Sequence, residues 1–493
     1  MYIKSFPFLE ILILLMSSFV YPLIKKPKNI FVISIASLLA SFVLGIFSFI
    51  DRLENKIAYK FLVGHFAAPL GIELKIGILE SMLGMIFLGV SLVVVLYSVS
   101  KIRKEIDEFK LKFFYMLINI LVASILGMVY TNDIFNSFVF LEVSALASCG
   151  IIIVKDKKEN IKATIRYLVL SCLGSGLILM GIAFLYSITG NLNFDFIRNE
   201  LLLVWQDYRK ITMLSLGLFT IGLGVKGAMF PLHIWLPGAH SSAPATSSAL
   251  LSAIVIKGPV VLLIKIYYEI YTIEIIRNSK LLEILLLLGI GGMILGSFGA
   301  ILQKELKKVI AYSSVAQMGY IFFALGFGIN GIVFAIYHII SHCLTKSALF
   351  MISGVMIEKK GKYLEDLKGI GIEMPKTMGL FFLASLSMIG IPMFPGFVSK
   401  WNLSLLSISE GKAYLIIMIL ISSLLNLAYY FPVVINGFFG EDNIKGKIQG
   451  SLENKVSDWI WSAVLMFGMM IIGIMSNRII SILNVAAEVF ISK

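Results

Sequence analysis

SLGLFTIGLGVKGAMFPLHIWLP, residues 215–237, holds Gly222, Gly224 and Gly227 at the G-x-G-x-x-G spacing of a dinucleotide-binding loop. Such a loop requires a strand before it, a helix after it and an acidic residue about 20 positions further on. None of these is present. The flanks are instead apolar over a membrane's thickness, so the glycines belong to a helix in lipid. There the missing Cβ allows close helix packing and leaves room beside Lys226.

The rest of the chain extends this reading. Of 493 residues 58% are hydrophobic and 14% charged, with a mean hydropathy of +0.93, whereas a soluble domain carries roughly 25% charged residues. Apolar runs of about 20 residues, each long enough to cross a hydrocarbon core of about 30 Å, recur throughout. Their approximate cores are 6–24, 30–50, 77–100, 111–130, 134–154, 163–188, 211–229, 245–268, 281–302, 309–327, 329–356, 377–397, 412–438 and 456–476. The expected fold is an all-α polytopic membrane protein of about 14 transmembrane helices. The first run is followed by Lys25, Lys26 and Lys28 and not by a small-residue cleavage site, so no cleavable signal peptide is expected.

Charge sets the orientation. Loops after odd-numbered spans hold 24 of the 42 Lys and Arg residues, the opposite side holds 13, and five remain at membrane depth. By the positive-inside rule both termini face outward from a cytoplasmic membrane. The net charge of +13 then describes a basic cytoplasmic rim and needs no nucleic-acid partner. Cys149, Cys172 and Cys343 are scattered without C-x-x-C spacing, so the chain is expected to carry no cofactor and no redox chemistry of its own.

The five basic residues at depth are Lys226, Lys257, Lys265, Lys346 and Lys400. A charge there costs at least about 2.5 kcal/mol on insertion scales, so each needs a reason. Lys265 is near the end of its span and is expected to snorkel. The other four are joined by Glu142 in FVFLEVSALASCG and by His338 and His342 in AIYHIISHCLTKSALF. His338, His342 and Lys346 are spaced i, i+4, i+8 and so share one helix face. A metal at the two histidines lacks a third ligand nearby, and Lys346 would repel a cation. A satisfied polar pair and a proton-passing row both remain open.

AMFPLHIW (228–235) and PMFPGFVSKW (392–401) echo one another, each placing a proline, Pro231 or Pro395, within an apolar span. Proline removes an i to i−4 hydrogen bond, so expected helices 7 and 12 should be broken. Breaks at matching places in two halves suggest an inverted repeat. The implied organisation is an N-terminal three-helix segment (1–110), a first five-helix half (111–268), a second, inverted half (281–438), and a C-terminal helix and tail (439–493).

KGAMFPLHIWLPGAHSSAPATSSALLSAIVIK, YHIISHCLTKSALF and GIPMFPGFVSKW together resemble the antiporter-like subunits shared by complex I, membrane-bound hydrogenases and Mrp-type sodium/proton antiporters. GFVSKW with Lys257 is most similar to the D-type member of the Mrp antiporters, whereas Gly238, Thr246 and Pro259 depart from the family pattern. The resemblance implies two half-channels joined at the midplane, with Glu142 and Lys226 as a pair and Lys257 as the bridge. It further implies that His338, His342 and Lys346 form the histidine row, with Lys400 at the terminus. The partners it implies are other membrane subunits, protons and sodium. Three readings follow: a proton-translocating antiporter subunit, an ion-pumping module of a redox enzyme whose electron carriers lie elsewhere, and a non-conducting scaffold. Sodium would want clustered oxygens, and only Glu142, Asp133 and Glu80 offer carboxylates near the spans. The tail 478–493 has apolar positions suited to a partner or the membrane surface.

Overall fold

Lipid offers no partner to backbone N–H and C=O groups, so a chain this apolar must satisfy them internally, and it does so as helices. The structure, a computed structural model, describes residues 2–440, 453 and 455–491. In chain order come α1 (Phe6–Val20), α2 (Pro27–Asn55), a hairpin of β1 (Tyr59–Leu62) and β2 (Glu73–Ile76), α3 (Ile78–Lys101), α4 (Glu108–Tyr130), α5 (Ile134–Ile153) and α6 (Lys158–Thr189). The short α7 (Phe194–Val204) precedes α8 (Arg209–Lys226) and α9 (Leu236–Ser242). Next, α10 (Ala245–Leu250), α11 (Lys257–Lys265) and α12 (Thr272–Arg277) are joined by π-helical turns at Leu251–Val255 and Ile266–Ile270. Then follow α13 (Leu281–Ile301), α14 (Leu306–Leu325), α15 (Ile329–Lys359), α16 (Ile370–Glu373), α17 (Pro375–Ile389), α18 (Pro395–Ser409), α19 (Leu415–Phe439), α20 (Ile460–Ile474) and α21 (Ser476–Ile491).

Among the described residues 11 helices are long and apolar enough to cross a membrane, or 12 if α20 and α21, bent by 77° at their junction, count as one. The expected count of 14 is therefore not reached by length and composition. The two shortfalls are informative. The expected span at 211–229 is α8, which stops at Lys226; that at 377–397 is α17, which stops at Ile389 before α18 begins at Pro395. Chain 227–235 and 390–394 is not regular helix, as Pro231 and Pro395 require. Of the expected segment 439–493, residues 441–452, 454, 492 and 493 lie outside the described residues, as do Lys445, Lys447 and Lys493.

Burial sorts the helices. The span 245–277 is buried along its whole apolar window and α14 and α15 nearly so, whereas α1, α6 and α19 leave more than half of theirs uncovered. Glycine lets the inner helices touch backbone to backbone. A Cβ on Gly289 of α13 would lie 2.4 Å from Phe323 N of α14, and one on Gly319 of α14 would lie 2.5 Å from Met293 N. The glycines of the opening stretch act similarly: a Cβ on Gly222 would sit 2.6 Å from the Gly174 carbonyl oxygen, which fixes α8 against α6.

Candidate functional site

The first element of the site lies where α8 ends. Lys226 is its last residue, and the break leaves carbonyls that the helix no longer satisfies; Trp235 Nε1 donates to Val225 O at 2.9 Å. Lys226 Nζ donates to Glu142 Oε1 of α5 at 2.8 Å and to Ser171 Oγ of α6 at 3.0 Å. Ser175, one turn on from Ser171, donates to the same carboxylate oxygen. The expected pair is thus formed, with Lys226 buried and the Glu142 side chain 33% exposed at the outer surface of the bundle.

Lys257 sits at the start of α11 and is fully buried. Its ammonium donates to the carbonyl of Ser252, inside the π-turn Leu251–Val255. Pro259 accounts for the irregularity: it has no N–H for the Val255 carbonyl four residues back, so the regular ladder cannot continue. The Ser252 hydroxyl lies 3.3 Å from that of Ser314 on α14.

The histidine row lies on α15. The His338 and His342 rings stack with centroids 6.2 Å apart. His338 Nδ1 is 2.8 Å from Ser399 Oγ of α18, while His338 Nε2 and both nitrogens of His342 have no protein partner. Lys346 Nζ donates to Ile310 O at 2.9 Å, to Tyr430 OH at 3.2 Å and to the Ser313 hydroxyl. The three residues share a face but diverge in contacts, His338 turning to α18 and Lys346 to α14 and α19.

Lys400 is placed by the second break. Its Nζ donates to Met388 O at 2.9 Å and Ile389 O at 2.8 Å, the last carbonyls of α17. A helix C-terminus carries partial negative charge, so it can hold a cation without a carboxylate. Gly390, at φ +94°, turns the chain here, and a Cβ on it would lie 2.9 Å from Lys400 Cδ. The Tyr320 ring covers the ammonium at 4.8 Å. Among the described residues, no carboxylate lies within ion-pair distance of Lys257, Lys346 or Lys400.

One expectation is overturned. Lys265 does not snorkel: it is fully buried, and its Nζ donates to Val129 O at 2.7 Å and Thr131 O at 2.9 Å at the end of α4, with Glu80 Oε1 at 4.0 Å. Asp133 accepts from Asn136 N at 2.7 Å and so caps α5.

Several buried groups escaped the sequence reading, His240 and Glu10 among them. His240 of α9 is fully buried, has neither ring nitrogen partnered, and stacks on Phe350 at 4.6 Å. A lone histidine in GAHSSAPATSSA was the available signal. Glu10 of α1 is also fully buried, accepting from Tyr130 OH at 2.6 Å and Ser48 Oγ at 3.4 Å. It is the one acidic residue within FPFLEILILLMSSFV. Among the described residues no three His, Cys, Asp or Glu side chains converge as a metal set.

These features define a multi-pass helical membrane protein with ionisable groups buried at helix breaks. The family model described as "NADH:quinone oxidoreductase/Mrp antiporter, TM" matches residues 131–426. The chain belongs to that family and is an antiporter-like subunit of Mrp- and complex I-like membrane complexes. It is 33% identical over 459 residues to the N subunit of the NADH-quinone oxidoreductase of Desulforudis audaxviator, covering 91% of each chain. It is 30% identical over 446 residues to the D subunit of the Na(+)/H(+) antiporter of Bacillus subtilis, covering 89% of this chain and 88% of that one. Among solved structures, a chain of the membrane-bound sulfane sulfur reductase, an archaeal respiratory membrane complex, superposes with a TM-score of 0.89 at 26% identity, covering 98% of this chain and 97% of that one. A chain of the Mrp complex from Dietzia sp. DQ12-45-1b gives 0.86 at 20% identity, covering 99% and 97%, and speaks for the fold alone.

Proposed function

We propose that this subunit carries protons across the cytoplasmic membrane through a buried file running from Glu142 and Lys226 through Lys257, His342 and His338 to Lys400, with Lys346 as a side branch. The supporting observation is the Lys226–Glu142 contact at a helix break. It stands at the head of three further buried lysines whose polar partners, among the described residues, are carbonyls and hydroxyls. An ammonium held by neutral dipoles alone gives up its proton more readily than one locked to a carboxylate. Moving Glu142 toward or away from Lys226 therefore loads or discharges the first site. The unpartnered nitrogens of His342 and His338 stand between Lys257 and Lys400 as acceptors for the passing proton. A neutral imidazole takes a proton on one nitrogen and releases one from the other.

The transport is proposed to work in exchange for sodium, within a complex of other membrane subunits and with both termini outside. A redox-driven pump is the second reading, favoured by the likeness to the sulfane sulfur reductase chain. In that case the electron carriers belong to other subunits. Vesicles bearing the intact complex test the relay: Glu142→Gln and Lys226→Met should each lower proton transport more than tenfold with assembly unchanged. Transport at the wild-type rate in either would overturn it. Iron–sulfur clusters in the purified intact complex would decide for the redox-driven form.

A further inference from the structure

A second set of ionisable groups, which the relay does not use, occupies the outer end of the central span. Lys265 ends α11 two turns beyond Lys257 on the same helix face, about 12 Å along the axis. Just past it, the π-turn Ile266–Ile270 carries Glu269, which is buried. Lys265 is flanked by Glu269 and by Glu80 of α3, with Glu80 Oε1 at 4.0 Å. Lys75 of β2 reaches Glu269 Oε2 at 3.3 Å and Asp195 Oδ1 of α7 at 3.3 Å. Lys60 of β1 meets the other oxygen of Asp195 at 2.7 Å and Glu73 Oε1 at 3.0 Å. Asn132 and Asn193 donate to Glu73 Oε1 as well, at 2.7 and 2.8 Å. Arg198 of α7 completes the charged set around Asp195 and Glu269.

Exposure falls steadily inward along this chain. The Lys60 side chain is 46% exposed, that of Asp195 25%, Lys75 6%, Glu269 4% and Lys265 0%. Signs alternate at every step. A cavity of about 10 Å³ lies among Lys75, Gly77, Glu80 and Glu269, close to the volume that admits one water. Burial alone would raise the Asp195 carboxyl, but Lys75 and Lys60 beside it prevail and hold it well below the ordinary aspartate range. A carboxyl so placed stands ionised between Lys75 and Lys60. The hairpin of β1 and β2 thus lays a file of titratable groups from solvent to the buried end of α11.

We propose that Lys265, Glu269, Lys75 and Asp195 form an outward-facing proton exit from the central span. The inference rests on the relay reading above and gives it a mouth that branches off at Lys257, ahead of His342, His338 and Lys400. In each passage the proton of the Lys265 ammonium crosses the small cavity beside Glu80 to the Glu269 carboxylate, leaving a neutral amine and a carboxylic acid. Glu269 passes the proton to Lys75 as Lys75 gives one of its own to Asp195, and Asp195 releases it to the outer solution. Lys265 then takes its next proton from the relay at Lys257, two turns back on the same face of α11. One proton enters for each that leaves.

Two near-isosteric or charge-keeping variants in vesicles bearing the intact complex test this, with a pH-sensitive dye reporting proton transport. Lys265→Arg can still donate to the Val129 and Thr131 carbonyls but does not deprotonate. Glu269→Gln keeps the shape and cannot carry a proton. Both should lower transport more than tenfold in complexes that assemble and melt as the wild type does. Wild-type transport in either overturns the proposal. Loss of assembly in both also overturns it, because it marks the column as a clamp for the hairpin and nothing more. Lys226→Met is measured alongside. If it transports normally the relay itself fails; if it stops transport while Glu269→Gln does not, only the exit fails.

Discussion

Replacing Gly390 by alanine separates a backbone cost from a cost that acts through Lys400. At φ +94° the residue lies where an L side chain is disfavoured, at about 1–2 kcal/mol. The new Cβ would also lie 2.9 Å from Lys400 Cδ and 3.4 Å from its Nζ. The lysine stem is flexible, so it moves instead of the backbone. Moving it draws the ammonium off Met388 O and Ile389 O, now at 2.9 and 2.8 Å. A hydrogen bond from a charged donor contributes about 1.5–3 kcal/mol, so weakening the pair adds roughly another 1–2 kcal/mol. The total expected loss is about 2–4 kcal/mol. A double-mutant cycle with Lys400→Met, read by denaturant unfolding of the purified complex and by vesicle transport, isolates the second part. With Lys400 absent, Gly390→Ala should retain only the backbone cost, a coupling of about 1–2 kcal/mol. Strict additivity would show that Gly390 has no part in placing Lys400, and the account of the second break would fall.

Other outcomes follow from single contacts. Gly319→Val drives a side chain into the α13 backbone at Met293 and Gly289; it should cost more than about 3 kcal/mol and abolish accumulation of the folded protein in membranes, measured by immunoblot. Asp195 has a depressed folded value, so its ion pairs add stability above the ordinary aspartate value of about 3.9 and lose it as pH falls through the folded value. The melting temperature of Asp195→Asn should therefore lie below wild type by a constant gap from pH 8 to about 5, narrowing in stronger acid. A gap that widens in acid would reverse the sign. Pro259→Ala restores an N–H four residues after Val255 and should let the π-turn relax toward α-helix, moving the Lys257 ammonium off Ser252 O. A map of the variant with an unchanged turn would refute proline as its cause.

The buried ionisable residues were legible to different depths for a physical reason. Glu142, Lys226 and the His338, His342 and Lys346 row announced themselves because a charge or imidazole amid apolar residues is costly wherever the helix lies, and helical spacing fixes which groups share a face. Apart from Glu142 with Lys226, which the resemblance paired, their partners did not. Lys265 was expected at an interface from its place in the run, yet it reaches the α4 carbonyls at Val129 and Thr131, more than 130 residues away in sequence. His240 was passed over because a histidine in a serine- and proline-rich stretch reads as a loop residue. The count of 14 spans exceeded what length and composition support because two apolar runs are interrupted, one just after Lys226 and one at Gly390, where the freed carbonyls of Met388 and Ile389 hold Lys400.

Composition and periodicity by themselves determined that the chain is helical and membrane-embedded, roughly where its spans begin and end, and which positions carry buried charge. These rest on transfer from water to lipid, a property that each segment carries with it. Only the tertiary structure decided what most of the other charges touch: bare carbonyls at Lys257 and Lys400, and the charged file from Lys60 to Lys265. Those contacts join segments up to about 200 residues apart, and electrostatic pairing acts through the space between side chains, which the order of residues along the chain does not contain.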